Sequence, residues 1–164
     1  MFVIWLTFEK NDEDYLEKII SNLSKKYNSN LFQPHITIWG LTNVELDKIS
    51  KICKNISIEI KSFNIEFLNI LYSDNFWKTL FLNLKTNKNM TKIYKNLENE
   101  FEKNGNHIFE PHISLIYKNM QEKDKKEIIE NIKIKDQFKI SNISILKYSD
   151  KIENWKIVKK ISLK

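Results

Sequence analysis

Few residues in this chain can move a proton near neutral pH, and most of those that can fall in one repeated pattern. Gln33-Pro34-His35-Ile36-Thr37-Ile38 is echoed by Glu110-Pro111-His112-Ile113-Ser114-Leu115. The only two prolines each precede one of these histidines, and of three histidines only His107 stands outside the pattern. Both segments alternate and are rich in β-branched residues, which predicts strands whose successive side chains face opposite ways. His35 then shares a face with Thr37 and His112 with Ser114, while Ile36, Ile38, Ile113 and Leu115 point into a core.

An unperturbed histidine pKa of about 6.5 lets one copy stay neutral while the other is protonated. Set on opposite sides of a substrate, one imidazole can take a proton from water and the other can give one to a departing oxygen. That division of labour suits in-line displacement at phosphorus, with each positioned transfer typically contributing about 10²–10⁴ in rate. The hydroxyls of Thr37 and Ser114 would hold the non-bridging oxygens. A single His-x-Thr in a strand more often marks a structural histidine. The paired motif, the matched prolines and the placement in opposite halves of the chain favour the catalytic reading here.

The elements that must position these groups follow from periodicity. A buried strand is expected over Phe2–Phe8, then a helix capped at Asn11-Asp12 and running to about Tyr27, with Tyr15, Leu16, Ile19, Ile20 and Leu23 on one side. Ser29-Asn30 turns the chain into the first motif strand, which Gly40 ends. A second helix, capped by Thr42 or Asn43, carries Val44, Leu46, Ile49, Ile52 and Cys53. Adjacent antiparallel strands are expected over Ile56–Ile60, Phe63–Tyr72 and Trp77–Leu84. A third helix from about Asn89 to Lys103 is closed by Gly105, and the second motif strand runs Pro111–Tyr117. A fourth helix over Gln121–Ile132 and strands over Phe138–Tyr148 and Trp155–Leu163 complete the chain. The order strand, helix, motif strand, helix occurs twice, so residues 1–164 read as a single domain of two related lobes, each presenting its motif strand at a shared cleft.

Composition narrows the function. At 164 residues with 41% hydrophobic and 12% aromatic content, the chain can bury a substantial core. The net charge of +6 comes from lysine alone, with no arginine to read phosphate or guanine through a planar fork, which argues against a dedicated duplex reader. A lone Cys53 excludes an intramolecular disulfide and, on a helical apolar face, reads as inert packing. Three histidines and one cysteine lack the short ligand spacings of zinc sites, so no metal is expected. The run Phe2–Leu6 is followed by acidic Asp12-Glu13-Asp14 and no apolar run is long enough to span a bilayer, so the expectation is a soluble cytoplasmic protein with no membrane partner. Without a heptad or exposed apolar stripe, a monomer is the default.

The paired His-x-Thr and His-x-Ser motifs resemble those of the 2H phosphoesterase superfamily. The likeness to plant and yeast type cyclic phosphodiesterases spans nearly the whole chain, through Val3–Leu6, Pro34–Thr37, Pro111–Tyr117 and Asn154–Val158. It implies an α+β, bilobal fold: two pseudo-symmetric lobes of antiparallel sheet flanked by helices around a central cleft. It also implies cofactor-free and metal-independent opening of a small cyclic phosphate, such as ADP-ribose 1″,2″-cyclic phosphate or a nucleoside 2′,3′-cyclic phosphate, with His35 and His112 as the acid–base pair. Other expectations compatible with the motif are cleavage of cyclic oligonucleotides, trimming of RNA ends, or a module that binds RNA ends or nucleotides without turnover.

Aromatics wall the pocket in this family, and Phe76-Trp77 and Tyr117 occupy the matching places. Strict alternation sets Tyr117 opposite His112, so a bulge or the strand's end must bring it round. Trp77 is the stacking candidate, Trp39 a candidate for the core, and Trp5 for the cleft floor. Lys78, beside Trp77, could meet phosphate, but among so many lysines it reads rather as a solvated surface residue, and His107 reads as surface structure.

Overall fold

The computed structural model describes residues 1–101 and 109–164. In chain order it contains β1 (Phe2–Phe8), α1 (Lys10–Tyr27), β2 (Ile36–Thr42), α2 (Leu46–Glu59), β3 (Phe63–Tyr72), β4 (Leu80–Leu84), α3 (Lys88–Glu100), β5 (His112–Ile116), α4 (Glu122–Asn131), β6 (Gln137–Lys147) and β7 (Lys156–Ser162). The strands pair antiparallel in the order β2-β1-β6-β3-β4-β5, with β7 added to β6. This is the expected α+β arrangement of antiparallel sheet and flanking helices.

Two halves are tied together by β3. Its first residues, Phe63–Glu66, pair with β6, and from Phe67 onward it pairs with β4. The register then repeats between halves. Trp5 lies opposite Thr37 and Leu6 opposite Ile36, as Phe81 lies opposite Ser114 and Leu82 opposite Ile113. In each case the next step in the ladder is irregular: one residue back on β1 or β4 answers two forward on β2 or β5. A bulge therefore sits three residues beyond each histidine, at Ile38 and Leu115, and bends both motif strands alike.

The halves are also braced across one another. Helix α1 packs on β1 and on β5, α3 packs on β2 and α2, and the motif strands β2 and β5 touch. A helix from each half thus covers the motif strand of the other. The residues behind the histidines carry this packing: Ile36 is 1% and Ile113 0% exposed. Truncating either to alanine would cost about 2–5 kcal/mol.

Several local expectations are corrected. Ile56–Ile60 is not a strand: α2 continues through Glu59, because Ile49, Ile52, Cys53, Ile56 and Ile60 keep helical spacing toward the core while Ile58 is exposed. Helix α1 begins at Lys10 after Glu9, so Asp12 lies within its first turn. There Asp12 is buried, accepting from the Lys139 backbone N–H at 2.6 Å and from the Lys135 ammonium, which tethers the helix to the start of β6 and the residues just before it. Helix α2 starts after Glu45, and Thr42 instead ends β2 while its hydroxyl accepts from the Val44 N–H at 3.2 Å. The residues before β4 form a 3-10 turn, Phe76–Lys78, capped by the Asn75 side chain. Helix α3 is capped by Asn87, whose side chain accepts from the N–H groups of Asn89 and Met90. The expectations for Gly105 and His107 lie outside the described residues. Cys53 is buried, as its place on the inner face of α2 implied, and burial pushes its thiol up to about 12.

Candidate active site

Each histidine is set by the proline before it. Proline keeps the preceding residue extended and removes one backbone donor. The imidazole folds back onto the carbonyl two residues upstream: His35 Nδ1 is 2.7 Å from Gln33 O, and His112 Nδ1 is 2.8 Å from Glu110 O. A carbonyl only accepts, so Nδ1 carries the hydrogen and Nε2 is the nitrogen left for chemistry. Both rings line one cavity of about 350 Å³, together with Trp5, Thr37, Trp77, Lys78, Glu110, Tyr117, Tyr148 and Trp155.

Burial dominates the electrostatics of both rings. His35 is 6% exposed, and desolvation lowers its pKa from 6.5 to about 3, with the Gln33 carbonyl opposing and the charge of His112 adding to the shift. His112 is also lowered, first by desolvation; the Glu110 carbonyl and carboxylate pull upward and Lys78 pulls downward. Without substrate, both rings are therefore neutral at pH 7.

The two hydroxyls sit differently. Thr37 lines the cavity. Ser114 is 4% exposed, and its hydroxyl donates to the Trp77 carbonyl at 3.0 Å. That bond pins the 3-10 turn over β5 and so places Trp77 at the mouth of the cavity.

The aromatics form a connected wall. Trp5 stacks on His35 with ring centres 3.6 Å apart and planes 10° from parallel. Trp77 is 41% exposed, stacks on Trp155 at 5.8 Å and meets Tyr117 edge-on at 5.3 Å. Tyr117 reaches the cavity because β5 bulges at Leu115 and ends at Ile116, the irregularity that alternation required. Burial raises its phenol to about 12, keeping it a neutral wall residue. Trp39 is core, packed between Tyr94 and Phe101. Trp5 takes the expected floor position.

Residues that the sequence did not favour as site groups also converge here. Trp155 is held by an indole N–H bond to the Ser149 carbonyl at 2.8 Å and touches the rings of Trp5, His35, Trp77 and Tyr117. Lys78, expected to be solvated, lines the cavity and pairs with Glu110 at 2.6 Å. Only the stretch Asn154–Val158 hinted at Trp155, and only its place next to Trp77 set Lys78 apart from the many other lysines.

The cyclic phosphodiesterase-like protein family model matches residues 1–163. The chain belongs to that family. This cyclic phosphodiesterase-like chain is 21% identical to the cyclic phosphodiesterase of Arabidopsis thaliana over 167 residues, covering 96% of its own length and 92% of the plant protein. Its fold is shared with TT0787 of Thermus thermophilus, at a TM-score of 0.69 and 12% identity, covering 99% and 97% of the two chains. It is likewise shared with E. coli LigT, solved with 3′-AMP, at a TM-score of 0.64 and 12% identity, covering 99% and 96%. The cyclic phosphodiesterase-like chain is thus a 2H phosphoesterase-type enzyme that hydrolyses phosphodiesters. Among the described residues no cluster of three His, Cys, Asp or Glu side chains is arranged to hold a metal, and no helix is long and apolar enough to cross a membrane.

Proposed function

We propose that the protein hydrolyses a small cyclic phosphodiester, a nucleoside 2′,3′-cyclic phosphate or ADP-ribose 1″,2″-cyclic phosphate, to a phosphomonoester without a metal. What carries this reading is the pair of imidazoles, each with Nδ1 committed to a backbone carbonyl, bordering one cavity. One Nε2 takes a proton from the attacking water, the other protonates the leaving ribose oxygen, and Thr37 holds a non-bridging oxygen. Ser114 acts beside them by fixing the turn that carries Trp77. The exposed Trp77 face and the Trp155 and Tyr117 rings offer stacking surface to a nucleobase, and a base–aromatic stack is worth roughly 1–3 kcal/mol. Residues 1–164 act in this reading as one bilobal unit, because each half supplies one proton carrier. The reaction belongs in an aqueous intracellular compartment, and a monomer suffices for it.

The test is incubation with 2′,3′-cyclic AMP in EDTA, followed by chromatography. A nucleoside monophosphate is expected, and it disappears in His35→Ala and His112→Ala. Return of intact substrate by the unaltered protein would reduce the cleft to a nucleotide-binding module.

A further inference from the structure

We propose that Lys78 is the anion-binding side chain of the cleft: it exchanges the Glu110 carboxylate for a phosphate oxygen of the substrate. This rests on the phosphate-handling reading of the cavity. Lys78 is the one lysine among the described residues lining that cavity, and the chain has no arginine. Since both histidines are neutral in the free protein, the substrate's negative charge meets a single formal cation on entry.

Lys78 is placed for such an exchange. Its side chain is 29% exposed, against 59% for Lys85 in a comparable ion pair on the same lobe. The Ser73 hydroxyl donates to its carbonyl at 2.7 Å, its N–H donates to Asn75 O at 2.9 Å, and its ammonium lies 5.6 Å from the centre of the Phe81 ring. The backbone is thus fixed while the long side chain can swing. Its present partner is weak competition: the Glu110 carboxylate is 67% exposed, and an ion pair with one member in water contributes little. A phosphate enclosed beside aromatic rings is less well solvated and binds an ammonium more strongly.

The exchange has a consequence for His112. Facing that ring are Lys78 from the 3-10 turn, Glu110 from its own strand entry, His35 across the cleft and uncharged Phe81 from β4. When Lys78 turns to phosphate, Glu110 is left as an unpaired negative charge near His112, and the phosphate adds another. Both favour the imidazolium, so substrate arrival itself loads the proton that the neutral resting site lacks.

The experiment titrates inorganic phosphate into the full chain, following the imidazole resonances by NMR, alongside turnover of 2′,3′-cyclic AMP. Losing one charge-assisted contact predicts about tenfold weaker phosphate binding and a matching rise in KM for Lys78→Met, with most of the loss restored by Lys78→Arg. Glu110→Gln frees Lys78 and binds phosphate more tightly, yet its bound state shows a smaller upward shift of the His112 pKa. Unchanged phosphate affinity in Lys78→Met, or no rescue by arginine in a folded variant, overturns the proposal. If the unaltered protein binds phosphate through Lys78 but leaves cyclic AMP intact, the hydrolytic reading fails and the anion site stands.

Discussion

The two motif strands repeat one backbone design and surround it with opposite settings. Trp5 and Phe81 occupy equivalent positions opposite Thr37 and Ser114, yet Trp5 lies flat on His35 at 3.6 Å whereas Phe81 meets His112 edge-on at 5.4 Å. His35 is sealed by aromatics, with Phe32 and Trp155 also around it. His112 instead has a cation and a carboxylate for neighbours. A shared proline, carbonyl bond and bulge fix where each Nε2 goes, while the neighbours decide how readily it takes a proton. Matching sequence motifs thus give two imidazoles unlike affinities for a proton, which is what acid–base chemistry requires of a pair.

The largest effect separates the pair from everything around it. His35→Ala and His112→Ala should each lower kcat by about 10²–10⁴, and the double variant should lose little more, because neither carrier works without the other. Nearly additive losses, read from single-turnover rates, would mean that the two lobes act independently. The same comparison sets the pH profile. As kcat/KM reports the free protein, whose histidines both lie below 6.5, its optimum should fall on the acidic side of pH 6.5. The optimum for kcat should lie higher, since a bound phosphate charge raises both groups.

Stability sharpens the contrast. His35 has a pKa of about 3 in the folded chain and 6.5 when unfolded, so between those values the unfolded chain takes up a proton that the folded one refuses. Its contribution is complete above pH 6.5 and is lost as pH falls, at about 1.4 kcal/mol per unit. Urea unfolding of His35→Gln should show a slope shallower by about half that amount at pH 6.5, approaching the full amount toward pH 5. His112→Gln should change it less, since desolvation is the main cause of its shift and that ring is less deeply buried than His35.

What the sequence reveals and what it hides follow the same division. The motif strands, the faces of His35, Thr37, Ile36 and Ile113, and the doubled order of elements were legible because period-two alternation is a local property. Tyr117 was legible only as a contradiction, which the Leu115 bulge resolves. Ile56–Ile60 misled because isoleucines two apart fit a strand and those three or four apart fit a helix; packing of α2 on β6 and β7 chose between them. Asp12 read as a cap because its lysine and backbone partners, Lys135 and Lys139, lie more than a hundred residues away. Trp155 enters the cavity through tertiary folding alone, and Lys78 was legible only as the neighbour of Trp77, a sign outweighed by the surface role expected of lysine in so lysine-rich a chain.

The smallest expected effects come from the two hydroxyls, and they bear most directly on whether the lobes are equivalent. Thr37 faces the cavity, so Thr37→Val removes a donor from a charged phosphate oxygen while keeping the β-branched shape of the strand. A hydrogen bond to a charged group is worth about 1.5–3 kcal/mol, so kcat should fall roughly ten- to a hundredfold. Ser114 has already given its hydrogen to the Trp77 carbonyl, so Ser114→Ala loosens the turn beneath Trp77 and leaves the phosphate oxygens as they were. Its cost should appear as a few-fold rise in KM, with kcat nearly unchanged, and Trp77→Ala should absorb it: in that background Ser114→Ala should add little. Were the two substitutions to lower kcat alike, Ser114 would have to release Trp77 when substrate binds, and the second lobe would work as a true copy of the first.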